Sequence, residues 1–113
     1  MLFRSGSPSF GQSVGAVLSA AGGEQLYVPI GFAHGFLTLT ENVEVLYKAS
    51  DFYAPQSEGA VAWDDPALGI AWPLSGVQPV LSDKDAAASG WDEVSVDFSY
   101  TGDPLGALEE VAQ

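Results

Sequence analysis

The sequence contains no cysteine and a single histidine, His34. The first absence removes disulfides, thiolate nucleophiles and cysteine-ligated zinc or iron–sulfur sites together. The second leaves too few imidazoles for a two- or three-histidine metal site, so no metal is expected. Positive charge is nearly as scarce. Three Lys and Arg stand against fifteen Asp and Glu, a formal net charge of −12. Phosphate backbones repel such a chain, which excludes non-specific nucleic-acid binding. Its apolar runs fall short of the roughly 18 residues a membrane helix needs. Met1 to Pro8 lack the charged leader and apolar region of a signal peptide. The expectation is a soluble, cytoplasmic protein with neither nucleic acid nor membrane as partner.

What is present points to a packed core. A length of 113 residues, 47% hydrophobic and only 16% charged, suits one domain, 1–113, rather than a disordered chain. The patterning is mostly that of strands. In Gln12 to Ser19, Val14, Ala16 and Leu18 share a face; Ala21 to Glu24 reads as a turn, and Gln25 to Pro29 as a short second strand. From Gly31 to Thr40 the residues alternate, with Phe32, His34, Phe36 and Thr38 on one side and Ala33, Gly35, Leu37 and Leu39 on the other. Glu41-Asn42 then leads into Val43 to Ala49, where Val43, Val45 and Tyr47 face one way and Glu44, Leu46 and Lys48 the other. Two alternating runs around a polar turn predict an antiparallel hairpin. Pro55, Pro66 and Pro73 exclude a long helix beyond it. A helical turn is expected over Asp85–Ala88, with an aspartate of the Ser82–Ala86 run as its cap. A short helix is expected from Asp103-Pro104 to Val111. The architecture is mainly β, a sandwich or jelly roll with short helical pieces near the C-terminus.

Few residues offer chemistry. His34, with Gly31 and Gly35 near it, is either a histidine tucked into an aromatic face or a ligand contact to which the glycines give access. Tyr47 is either a core tyrosine or a phenol aimed into a cavity, where it could act as a general acid. Tyr53 could stack on a nucleobase or simply be exposed on its loop. Trp63-Asp64-Asp65-Pro66 reads as a structural turn.

Taken in order, these blocks resemble the dTDP-4-dehydrorhamnose 3,5-epimerase family. The resemblance is carried by Gly6-Ser7-Pro8-Ser9-Phe10-Gly11-Gln12, by Gln25-Leu26-Tyr27-Val28-Pro29 leading into Gly31-Phe32-Ala33-His34-Gly35-Phe36, and by Leu46-Tyr47-Lys48 with Tyr53-Ala54-Pro55. It continues through Trp63-Asp64-Asp65-Pro66, Leu68-Gly69-Ile70, Trp72-Pro73 and Leu81-Ser82-Asp83-Lys84-Asp85-Ala86-Ala87. Residues 1–88 are family-like, and 89–113 form a tail without a family motif.

The resemblance implies a cupin-type jelly roll, here partial, acting as a homodimer on a dTDP-sugar without a cofactor. The implied reaction inverts carbons 3 and 5 of dTDP-4-dehydro-6-deoxy-D-glucose, in dTDP-L-rhamnose biosynthesis. It implies that Tyr47 is the proton donor and that Asp85 orients the catalytic histidine. His34 then lines the substrate pocket, Tyr53 lies beside the nucleotide, and Glu58 and Lys84 sit near the bound substrate. The family's base histidine lies in an Arg-Gly-Leu-His motif, and a lysine follows it; neither is among these residues. Ile30 stands where an acidic residue is common. The chain therefore looks like the C-terminal portion of an epimerase, inactive alone. Two alternatives stand beside it: a catalytically dead nucleotide-sugar-binding or dimerisation module, and a purely structural jelly roll in which His34 and Tyr47 are packed.

Overall fold

The computed structural model describes residues 1–95 and 98–102. The helix expected over 103–111 lies outside them. The described residues divide into two compact units, one formed by Met1–Ala33 with 98–102, the other by His34–Ser95.

In the first unit the opening residues pair antiparallel with 30–33. Phe3 N–H donates to the Gly31 carbonyl (2.8 Å), Ala33 N–H donates to the Met1 carbonyl (2.9 Å), and Leu2 bridges Phe32. Arg4 extends the contact by donating from Nε and Nη2 to the Ile30 carbonyl, and its guanidinium lies 5.7 Å from the Phe32 ring centroid. This pairing buries Leu2 and Phe3. Gly31 makes the close approach possible. Its φ is +84°, and a Cβ there would lie 2.8 Å from both Cγ and Nε of Arg4. Strand β1, Arg4–Ser5, runs parallel to β2, Phe98–Ser99. The turn expected near 21–24 forms over Ala20–Gly23. The Glu24 carboxylate accepts from Ser19 N–H (2.9 Å) and Oγ (3.1 Å), which holds its pKa below the usual carboxylate range.

The second unit is built from turns. A 3₁₀ turn spans Pro55–Ser57, helix α1 covers Asp83–Ala86, and a second 3₁₀ turn spans Trp91–Glu93. Leu68 is its buried apolar residue. The Trp63 and Trp72 rings meet edge to face with centroids 6.2 Å apart, and Trp72 Nε1 donates to the Trp63 carbonyl (2.8 Å). Asp65 fixes the turn between them. One carboxylate oxygen accepts from Ala67 N–H, the other from Trp91 N–H, both at 2.8 Å. The structural reading of the 63–66 block therefore holds, and Asp65 also ties it to the 89–91 segment. Alongside, Ala62 N–H donates to the Ser89 carbonyl (2.7 Å).

The architecture is mainly non-helical, and its paired strands are few. The runs 12–19, 25–29, 34–39 and 43–49 are not in hydrogen-bonded strands. The bend joining the last two forms at Thr40–Asn42, where Asn42 takes a φ of 55° that asparagine tolerates. No ladder crosses it. A two-stranded ribbon is marginal in water unless a face of it is covered, and both faces of 43–49 are exposed. The helical turn begins at Asp83 rather than Asp85, because Ser82 caps it: its hydroxyl accepts from Asp85 N–H (3.1 Å). The cap is a serine, not an aspartate.

Two outcomes follow for stability. Gly31→Ala forces a side chain into a left-handed backbone conformation, a cost of about 1–2 kcal/mol, and pushes it into Arg4. Hydrogen exchange at the Phe3 amide is expected to speed roughly tenfold, the equivalent of 1.4 kcal/mol; an unchanged rate contradicts the account. For Asp65, the two amide hydrogen bonds hold the carboxyl below its ordinary value of 3.8. A lowered folded pKa means that the contribution is present above the unfolded value and lost as pH falls through the folded one. The Trp91 and Ala67 amide proton shifts should therefore titrate below pH 3.8, and in Asp65→Asn they should not titrate. A transition at or above the ordinary value would show that the carboxylate does not hold these amides.

Candidate active site

Two short local motifs, one following Tyr53 and ending at Glu58, the other carrying Lys84 and Asp85, are joined by an ion pair from Lys84 to Glu58. The first is Tyr53-Ala54-Pro55 and the 3₁₀ turn it opens. Pro55 sits in the first turn, where its fixed φ is favourable. Ser57 N–H donates to the Ala54 carbonyl (2.8 Å) and Glu58 N–H to the Pro55 carbonyl (3.2 Å). Glu58 thus leaves the end of a defined turn, and Tyr53 precedes it with its side chain 80% exposed.

The second motif is the capped turn α1. While Ser82 Oγ accepts from Asp85 N–H, its hydroxyl donates to Asp85 Oδ2 at 2.7 Å. Serine at the cap and a carboxylate three residues later form a capping-box pattern, with aspartate in the place usual for glutamate. The Asp85 carboxylate is oriented by this bond. Lys84, in the same turn, forms an ion pair with Glu58. Both side chains are substantially exposed, so the pair adds little to stability; its consequence is position.

The hydrogen bond that the Lys84 ammonium donates to the Glu58 carboxylate is the main reason that the Lys84 pKa is raised. Desolvation is the next largest effect and opposes the rise, while the charge of Glu58 and, after it, Tyr53 and Asp85 add smaller contributions. The ammonium is therefore held on the Glu58 carboxylate, in the same turn as Asp85.

His34 and Tyr47 do not join this cluster through any hydrogen bond among the described residues. His34 opens the second unit and is exposed. Gly35, next to it, faces Trp72: a Cβ there would lie 3.9 Å from the ring. Tyr47 is 84% exposed. Ser82 was not singled out by sequence reasoning as the cap, although the spacing Ser82-Asp83-Lys84-Asp85 carries the signal. The same is true of the link from Asp65 to Trp91, for which no local pattern exists. Among the described residues no three His, Asp or Glu side chains gather as a metal site.

The dTDP-4-dehydrorhamnose 3,5-epimerase family model matches residues 2–93. The chain belongs to this family. A Salmonella typhimurium relative named dTDP-4-dehydrorhamnose 3,5-epimerase is 56% identical over 90 residues, covering 80% of this chain and 49% of the relative. Relatives of the same name from Pseudomonas aeruginosa, 54% identical over 82 residues, and Neisseria gonorrhoeae, 51% identical over 88, cover 73% and 78% of this chain. The chain spans 45% of the Pseudomonas relative and 26% of the Neisseria one, so it accounts for about half or less of these relatives' lengths. No solved structure matches it significantly.

The ion pair generates a direct test. Glu58→Gln removes the hydrogen-bonding charge that raises the Lys84 pKa, so that value should fall. At any fixed alkaline pH more of the amine is then neutral, and acylation of Lys84 should be faster than in the parent protein. A raised folded pKa also means that the pair's contribution is present below the unfolded lysine value and lost as pH rises through the folded one. Equal labelling of Lys84 in parent and variant would show that Glu58 does not hold it.

Proposed function

We propose that these 113 residues supply the acid side and the nucleotide end of a sugar-nucleotide epimerase active site. The enzyme inverts carbons 3 and 5 of dTDP-4-dehydro-6-deoxy-D-glucose in dTDP-L-rhamnose biosynthesis, in the cytoplasm. It does so without a metal or other cofactor, as a homodimer of cupin-type jelly rolls, of which residues 1–113 are an incomplete one. The observation that carries this reading is the ion pair by which Lys84, in the turn that holds Asp85, meets Glu58 at the end of the turn that follows Tyr53, in a chain whose relatives bear the epimerase name.

The chemistry asks for few groups. Carbons 3 and 5 flank the 4-keto group, so removal of either proton leaves an enolate whose charge rests on the ketone oxygen. A base on one face and an acid on the other then complete the inversion. Tyr47 is the acid, its phenol delivering the proton. Asp85, oriented by Ser82, holds the imidazole that serves as base. A carboxylate alone, with an ordinary pKa of roughly 4, is too weak a base for a ketone's α-proton. His34 lines the sugar pocket. Lys84 answers the diphosphate, which a chain of net charge −12 needs a local cation to hold. Glu58 keeps that cation in place, and Tyr53 stacks against the base.

Incubation with the keto sugar in deuterated water tests the assignment. With the Arg-Gly-Leu-His segment joined to these residues, deuterium should enter at carbons 3 and 5, and Tyr47→Phe should slow turnover about 10²–10⁴-fold. The 113 residues alone should exchange negligibly. Robust exchange by them alone contradicts the base assignment and makes His34 the first residue to replace. Nucleotide binding without deuterium uptake by the joined protein favours a binding module instead.

A further inference from the structure

Helix α1 carries Lys84 and Asp85, yet Asp83–Ala86 is too short a helix to hold its own place. Its entry is loose: no backbone hydrogen bond holds 78–81 among the described residues. Its exit is tied down. The N–H groups of Ala87 and Ala88 donate back to the Asp83 and Asp85 carbonyls (3.1 and 3.3 Å). The next residue, Ser89, bridges Val61 in parallel and accepts from Ala62 N–H. Gly90 and Trp91 then meet Asp65. A Cβ at Gly90 would lie 3.1 Å from Asp65 Oδ2, the oxygen that accepts from Trp91 N–H. Asp65 is itself anchored. Its N–H donates to the Ala62 carbonyl (3.3 Å), its carbonyl accepts from the buried Leu68 (3.0 Å), and its other carboxylate oxygen accepts from Ala67 N–H.

We infer that Asp65 is a positioning residue: through Trp91 and Ser89 it sets where α1 presents Lys84 to Glu58, and with Lys84 the carboxylate of Asp85. The placement stands on geometry alone, and only its consequence for Asp85 in the reaction rests on the epimerase reading. A parallel bridge brings the segments before Val61 and Ser89 side by side. Glu58 lies three residues before Val61 and Lys84 five before Ser89. From Ala86, where α1 ends, to Ser89 the chain reaches about 11 Å at most, so α1 stays beside Glu58 while the clasp is closed. Neither local contact of α1 does this work. The Ser82 cap lies within the turn and orients Asp85 there without fixing where the turn sits. The pair from Lys84 to Glu58 is exposed, and such pairs contribute little. A half-buried carboxylate accepting two amides makes charge-assisted bonds, roughly twice as strong as neutral ones, and is the firmer fixture.

The test reads acylation of Lys84 in the 113-residue chain at a fixed alkaline pH, with the exposed Lys48 as internal reference. Asp65→Ala should label Lys84 at least about twofold faster, the scale of an exposed ion pair. Asp65→Asn, which keeps one acceptor, should fall between variant and parent. Asp64→Asn removes the same charge from the same turn but no hydrogen bond among the described residues, and should leave the rate unchanged. Two resonances tell displacement of α1 from melting. The Asp85 amide, held by Ser82, and the Trp72 Nε1 proton, held by the Trp63 carbonyl, should keep their shifts. Where Asp65→Ala loses them, Asp65→Asn decides. Unchanged labelling of Lys84, equal acceleration by Asp64→Asn, or loss of both resonances in Asp65→Asn overturns the inference. The consequence for Asp85 is read in the protein joined to the Arg-Gly-Leu-His segment. There Asp65→Asn should lower kcat about tenfold, less than the 10²–10⁴-fold of an acid–base group. The acid limb of its pH profile should also move to lower pH, since a carboxylate beside an imidazole favours the charged ring. An unmoved limb overturns the placement of Asp85. Failure of the joined parent protein to exchange contradicts the epimerase reading alone, and the placement of Lys84 stands.

Discussion

Backbone pairing is the constraint from which the rest of this structure follows. An extended segment carries a donor and an acceptor at nearly every residue, and it becomes a buried strand only when neighbours take them up. Residues 1–4 and 30–33 satisfy one another, and around that contact lie the buried Leu2 and Phe3. Where no such partner exists among the described residues, as over 34–50, side chains that alternate in the manner of core residues stand in water. The core among the described residues is thin, Leu2, Phe3 and Leu68, although the chain is 47% hydrophobic.

The candidate site escapes this dependence because it is built locally. A proline-opened turn sets Glu58, and a serine cap sets Lys84 and Asp85. Each forms from contacts a few residues apart in sequence, and the ion pair from Lys84 to Glu58 spans the gap between them. The turns that carry Glu58, Lys84 and Asp85 can therefore take shape in these residues, whereas His34 and Tyr47 stand on a segment that has no strand partner among the described residues. The same contrast explains why Lys84 and Glu58 meet while the candidates His34 and Tyr47 make no hydrogen bond to them among the described residues.

Sequence reasoning read local features well and tertiary ones less so. The turn near Gly23, the bend at Asn42 and the structural role of Asp65 were legible because short-range chemistry decides them. Family membership was legible from ordered motifs between Arg4 and Ala87. The strands at 12–19 and 43–49 were legible as patterns but not as ladders, since alternation states what a segment is suited to and not whether a neighbour is there. The serine cap was misassigned to an aspartate because Ser82, Asp83 and Asp85 all suit helix starts, and only geometry separates them. The bond from Asp65 to the Trp91 amide joins residues with no shared motif, and no periodicity announces it.

The claim at the centre of the account is that Tyr53, Glu58 and Lys84 form the nucleotide-diphosphate end of a binding site already shaped within this chain. Titration of the 113-residue protein with dTDP, followed by NMR of the Tyr53 ring and the Lys84 and Glu58 side chains, tests it most directly. The account predicts saturable shifts centred on these residues that are lost in Lys84→Gln, while the amides of Trp91 and Ala67 stay unmoved. Shifts that leave the three untouched, or that survive the loss of Lys84, would contradict it.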